Sequence, residues 1–385
     1  MNNREKYLSV CRFEKVDKVP ISLGDFRRDV LKRWWKEGLP KKANPEKYFG
    51  FADKSSEGSH SLGLSISSYP QAGGWGLDSN KINLGPIPAF KQQILTEDKR
   101  YRVWIDQLGI TQKGLRRDWE KGWTGFATRV FIDFPVKNRE DYINIKKRYR
   151  SDNSGRYPKN WLKLVKKWQK RSYPIGFSLR GPFWFTRDMM GMHQTLIEMY
   201  RNPEFIREVM DFSTEFHIEC LSKAVKEVEV DFVWINEDMG YHKGPMMSPN
   251  MAKKLILPCY IRLCKFFTNH GIEVINLDSD GNVKPLIPIW LKGGINGIGP
   301  CEVAANMDIL SIRKKYPQLI IYGGIDKRKL SQGKKDIEEE LYSKIPYMIE
   351  RGGYFPGVDH AVPADVSLEN YKFFIFLLKK ICGWK

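Results

Sequence analysis

From about residue 172 to the C-terminus, short apolar, β-branched runs alternate with longer stretches of helical periodicity. This alternation constrains the fold more than any other feature of the chain. The runs are Pro174–Leu179, Val230–Ile235, Ile272–Leu277, Ile295–Ile298, Leu319–Tyr322 and Tyr354–Pro356. Helical patterns occupy 188–224, 248–270, 282–293 and 334–351, and Asn306-Met307-Asp308 opens a shorter one. Strands that return parallel to their neighbours need a crossover, usually a helix, so the pattern predicts successive βαβ units. Val19-Pro20-Ile21-Ser22 would supply a first strand, and one more from the middle region would complete eight. The expected fold class is therefore α/β, a (β/α)8 TIM barrel, a fold of typically about 250 residues. The surplus falls at about 40–170 and is expected to form an insertion capping the active-site mouth of one domain, 1–385. Within it, 52–82 is rich in Gly and Ser and reads as loops, and 100–135 reads as short strands.

Composition excludes several classes. The 64 Lys and Arg exceed the 45 Asp and Glu, a net charge of +19. The densest basic stretch, 146–171, alternates with Trp161, Leu162, Leu164, Val165 and Trp168, which is the pattern of a solvated amphipathic helix rather than a nucleic-acid surface. The six cysteines form no C-x-x-C pair, which argues against a disulfide framework or a Cys-rich zinc site. The N-terminus has no apolar signal segment and no stretch has the length of a membrane span, so a soluble, cytoplasmic protein is expected. Phosphate-loop, dinucleotide and G-x-S-x-G nucleophile motifs are absent.

The residues after each run are the informative ones, because a parallel barrel places its chemistry where strands end. Arg180 follows the first run, Glu237 and Asp238 the second, Asp278 and Asp280 the third, Glu302 the fourth, Asp326 the fifth, and Asp359 and His360 the last. On extended backbone, Asp278 and Asp280 project to one side, and like charges that close need a cation or a shared proton. Asp-Ser-Asp-Gly is also good turn chemistry, and the local pattern does not choose between the two. A lone histidine is more often structural than a ligand, but His360 gains weight from its strand-end position, and His242 lies on a loop five residues past Glu237. Trp34, Trp35, Trp75, Phe183, Trp184, Trp234 and Tyr241 lie near expected loops and would suit an apolar aryl pocket, although such residues more often serve as core.

Several segments together resemble the uroporphyrinogen decarboxylase superfamily. They are Arg4–Leu8 with Glu14–Pro20, Met246-Met247-Ser248-Pro249, Leu277–Asn282, Gly323–Asp326, and Gly357–Pro363 with Leu368-Glu369-Asn370. The resemblance covers about 1–22 and 230–385, and it implies a (β/α)8 barrel. True decarboxylases of that superfamily carry an arginine-rich segment after the first strand, where this chain reads Ser22–Arg28 with only Arg27 and Arg28. The other branch, the corrinoid-linked zinc methyltransferases, holds zinc with a His-x-Cys pair and a later Cys. Aligned by motif, these fall on Asp278, Asp280 and His360. An Asp-Asp-His set carries the same two negative charges on harder donors, suited to polarising an oxygen-containing substrate.

The resemblance thus implies a methyltransferase of the O-demethylase type, moving a methyl group from a methoxylated aromatic compound to the cobalt of a separate corrinoid protein. The expected zinc ligands are Asp278, Asp280 and His360. The expected catalytic groups are Glu237, Asp326 and His242, and the expected substrate contacts Arg180, Trp184, Trp234 and Tyr241. A homodimer is allowed, and no nucleic-acid or membrane partner is expected. The alternatives are a uroporphyrinogen-decarboxylase-like lyase and a non-catalytic basic binding module.

Overall fold

The computed structural model describes residues 1–24, 26, 28–43, 48–50, 64–68, 82–117 and 129–384, with 28 and 64–68 described by their backbone. Its strands in chain order are β1 (Leu64–Ser68), β2 (Ile82–Asn83), β3 (Gln93–Glu97), β4 (Tyr101–Ile105), β5 (Thr111–Leu115), β6 (Val130–Asp133), β7 (Ile175–Arg180) and β8 (Phe232–Asn236). There follow β9 (Gly240–Tyr241), β10 (Gly244–Pro245), β11 (Val274–Asp278), β12 (Gly297–Gly299), β13 (Ile320–Ile325) and β14 (Tyr354–Val358). The six apolar runs from 172 onward are β7, β8, β11, β12, β13 and β14. They pair in parallel in the order β14-β13-β12-β11-β8-β7, continued by β1 and β2.

The expected first strand is not a strand. Ser22 nevertheless lies beside β14, its N donating to Pro356 O at 2.8 Å, and Phe26 bridges Val362 in parallel beyond that strand. Among the described residues no ladder joins this segment to β2, so the parallel sheet is followed through eight strands without a closing pair. The 52–82 stretch read as loops contains β1, and β1 and β2 belong to the main sheet rather than to an insertion. β3 to β6 form a separate antiparallel sheet. The basic 146–171 stretch is not one helix. Its helix Trp161–Trp168 buries Trp161, Val165 and Trp168 and leaves Lys163, Lys166 and Lys167 in solvent. No described helix is long and apolar enough to cross a membrane.

The strand period of two divides the sheet's side chains into two cores. Val233, Ile235, Ile275, Leu277, Ile298 and Ile321 face the helices. Their alternates Phe232, Val274, Ile320, Tyr322 and Phe355 pack on Tyr7, Val10 and Cys11 of the helix Asn3–Cys11. That helix is fixed by a capping box, in which Glu5 N donates to Asn2 and Asn2 N to Glu5. Tyr7 lies 5.3 Å from Phe232 and 5.1 Å from Phe355, ring centre to ring centre, and its hydroxyl is 2.9 Å from that of Tyr322. Burying Tyr7 and Val10 contributes about 1.5–3 kcal/mol each. The helix plugs the inner face beneath Trp234, whose ring meets Tyr322 edge-on at 4.9 Å.

Candidate functional site

Register sets the layer above Trp234. Arg180 on β7 pairs with Asn236 on β8, Asn236 with Asp278 on β11, and Asp278 with Gly299 on β12. Arg180, Asn236 and Asp278 therefore share one face at the C-terminal strand ends, where parallel α/β sheets place their ligands. Asn236 is held by its amide donating to Ser178 Oγ and Leu179 O.

Beyond β11 the chain turns at Ser279, which is buried and points away. Its Oγ accepts from Met239 N at 2.9 Å and donates to Asp280 O. Asp278 and Asp280 are left on the opposite side, with Asp280 Oδ2 3.2 Å from His360 Nε2. The Asp278 carboxyl is pushed up to about 8, first by burial, then by the charges of Asp280 and Asp238, against the opposing pull of His360 and Arg180. Asp278, Asp280 and His360 thus sense one another in a single cluster. Asp238, which the sequence reading left without a role, joins them. Its backbone takes φ 47°, a left-handed value that Asp tolerates better than most residues, and this separates it from its neighbour Glu237.

Glu237 faces the other way. It is fully buried at the start of the helix Pro182–Met190, accepting from Trp184 N at 2.9 Å and from Tyr260 OH at 2.7 Å. Burial pushes it up to about 7, against those hydrogen bonds. A Cβ at Gly181 would fall inside the Glu237 carboxyl, so only glycine permits this packing. Glu237 is turned from the Asp280–His360 pair toward the protein interior.

The helix that Glu237 holds carries Trp184, Arg187 and Asp188. The guanidiniums of Arg180 and Arg187 cover the Trp184 ring at 3.9 and 4.1 Å, and Trp184 Nε1 donates to Asp188. Two of the chain's own cations thus lie against that indole. Arg187 donates to Asp238 O at 2.9 Å, and Arg180 Nε lies 3.4 Å from Asp188 Oδ2. The antiparallel sheet reaches the same place, since the charges of Asp106 and Arg129 act on Asp188, and that of Arg129 also on Arg180.

The remaining expected residues are placed elsewhere. Asp326 is gripped by Arg328, whose Nε and Nη2 donate at 2.9 and 2.7 Å, and this ion pair holds its carboxyl below the usual range against the cost of burial. His242 is exposed at the tip of the β9–β10 hairpin, beside the exposed Tyr241. Trp34 is core, packed on Phe49 and Tyr371 with its Nε1 donating to Val366 O, and Phe183 is fully buried. Trp75 and Arg27 lie outside the described residues. Sequence reasoning missed Arg187 and Asp188. Their only signal is helical spacing from Trp184, four residues before Asp188, which is common on any amphipathic helix.

Among the described residues, no three His, Cys, Asp or Glu side chains stand together at the distances of an ion's ligands. The donor chemistry of Asp278, Asp280 and His360 nonetheless fits a divalent ion. The set is two carboxyl groups with hard oxygen donors and an imidazole.

No curated protein matches the chain. A solved structure, a methyltransferase from Methanosarcina mazei, is 16% identical over 99% of each chain, with a TM-score of 0.48. The family model "Uroporphyrinogen decarboxylase (URO-D)" matches residues 129–381, a span that runs from β6 through the strand ends from Arg180 to His360. The chain belongs to the uroporphyrinogen decarboxylase family.

Proposed function

We propose that this chain is a cytoplasmic methyltransferase that moves a methyl group from an oxygen donor, a methoxylated aromatic compound, to the cobalt of a corrinoid carried by a separate protein. The observation that carries the reading is the meeting of Asp280 with His360 beside Asp278 at the mouth-side strand ends.

Breaking a methyl–oxygen bond leaves an electron pair on oxygen, and that oxygen needs a proton or an electrophile as it departs. In the metal-free chain the Asp278 carboxyl, held up to about 8, keeps a proton at neutral pH. The acceptor's electron pair attacks the methyl carbon, the C–O bond breaks, and the Asp278 proton passes to the departing oxygen. Asp280 orients the His360 ring beside the oxygen, and the half-buried ring of Trp234 one layer below offers an apolar floor for an aryl group. A divalent ion held by Asp278, Asp280 and His360 would supply Lewis-acid polarisation of that oxygen in place of the proton.

The charge at the mouth supports this reading over decarboxylation of a polyacid. Arg180 and Arg187 face Asp188 and Asp238 of the chain itself, and the Asp280 carboxylate would repel further carboxylates. The test mixes purified protein with reduced cobalamin and a panel of methoxylated aromatics, then follows the cobalt spectrum. Formation of methylated cobalamin with release of the free phenol is the expected result. Demethylation without any corrinoid, or release of CO2 from uroporphyrinogen with no methyl transfer, overturns the reading. Elemental analysis of protein purified without chelator tests the ion separately.

A further inference from the structure

Three strand-end residues singled out by the sequence, Glu302, Asp326 and Asp359, take no part in the chemistry above. Asp326 is absorbed by Arg328. The other two converge on one cation: Lys327 Nζ donates to Glu302 Oε1 at 2.9 Å and lies 3.8 Å from Asp359 Oδ1. Each carboxylate also grips backbone. Glu302 Oε2 accepts from Gly281 N at 3.3 Å, and Asp359 accepts from Val303 N at 2.8 Å and Lys327 N at 3.2 Å. Gly281 directly follows Asp280, and Asp359 directly precedes His360. One ammonium thus joins the two backbone segments that present the Asp280–His360 pair, bridging the ends of β11, β12, β13 and β14.

We propose that Lys327 is a positioning residue, a latch that fixes Asp280 and His360 against each other by holding Glu302 and Asp359 from the far side. Space favours this role over a substrate contact. Asp359 is fully buried and Lys327 is 17% exposed, and both carboxylates direct oxygens at main-chain N–H groups of the chain itself. Without the ammonium, Glu302 loses the partner that orients it, and the 280–281 turn loses its tie to β12. An arginine keeps the charge and the reach.

The test compares Lys327→Met and Lys327→Arg with the wild-type full chain. Hydrogen exchange read by mass spectrometry should speed about tenfold in Lys327→Met at peptides covering 278–284, with β7 and β8 unchanged, and Lys327→Arg should restore it. In the methyl-transfer assay, Lys327→Met should lose about 10- to 100-fold in kcat with KM within about threefold, and Lys327→Arg should recover most of the loss. The kinetic arm rests on the methyl-transfer reading, whereas the exchange arm does not. Local exchange changes in a protein without methyl transfer would leave the latch standing and overturn the function. Faster exchange throughout the barrel, or none at 278–284, would overturn the latch.

Discussion

The two ends of the inner sheet bury charge in opposite ways. At the N-terminal end Asp231, its side chain 1% exposed, is met by Arg4 at 2.6 Å and Arg171 at 3.0 Å and accepts from Ile175 N at 2.8 Å. The Asp231 carboxylate there has both arginines at hydrogen-bond distance, and the plug helix seals the rest with Tyr7, Val10 and Cys11. At the C-terminal end Asp278, Asp280 and Asp238 gather against cations already shared with other carboxylates, and Asp278 is driven up to about 8. One end spends its polar groups on closure. The other gathers three acidic side chains beside a histidine and raises the carboxyl of one of them, an arrangement suited to passing a proton.

The largest effect should come from breaking the compensated end. Asp231→Ala leaves Arg171, its side chain 3% exposed, without its carboxylate, and should cost about 3–5 kcal/mol in urea denaturation. Turnover per folded molecule should not change. A loss below about 1 kcal/mol would mean that the two ends do not differ as described.

At the mouth the opposite sign is expected. Asp278 has its carboxyl raised in the folded chain, so folding takes up a proton there. The penalty is absent below the unfolded value of about 3.9, grows as pH rises, and is complete above about 8. Stability of the metal-free protein should therefore fall between those limits, and Asp278→Asn should recover roughly 2–4 kcal/mol at pH 9 while losing about 10²–10⁴-fold in turnover. Equal pH slopes in the variant and the wild type would show that Asp278 is not the strained group.

How far this contrast was legible in the sequence depends on range. Strand–helix alternation is local, so the six parallel strands and the polar residues at their ends could be read directly. Asp278, Asp280 and His360 could be grouped because all three follow strands. What decides the direction of each side chain is not local. Glu237 and Asp238 are adjacent, and a single left-handed residue sends one to a helix start and the other to the cluster. Likewise Asp326 is drawn off by Arg328, two residues on, in an ion pair that strand-end logic does not foresee. The first barrel strand failed for a related reason: among the described residues near 19–26, Ser22 reaches β14 and Phe26 bridges Val362, without a ladder.

A smaller effect tests what holds the mouth's helix in place. Tyr260→Phe removes the hydroxyl that donates to Glu237 Oε1 at 2.7 Å and leaves a fully buried carboxyl oxygen unmet. The expected cost is about 1–2 kcal/mol by denaturation, with Glu237 moved further above about 7. Because Glu237 acts on Trp184 through the backbone, near-UV circular dichroism should change as well. A stability loss with an unchanged aromatic spectrum would confine Tyr260 to packing.

The smallest effect is expected at His242. A histidine five residues past Glu237 suggested acid–base work, but the β9–β10 hairpin carries it to an exposed tip. The hairpin base is what packs, since a Cβ on Gly240 would crowd Asp280 O and one on Gly281 would strike Gly240 and Tyr241. His242→Ala should therefore change stability by less than about 0.5 kcal/mol, as exposed substitutions usually do, and turnover with a small methyl donor by less than about twofold. Gly240→Ala should be far more damaging because it pushes directly on the backbone of Asp280. A tenfold loss in His242→Ala with free cobalamin as acceptor would extend the C-terminal cluster outward to the hairpin tip. A loss seen only with a protein-bound corrinoid would make the tip a docking contact and leave the chemistry at the strand ends.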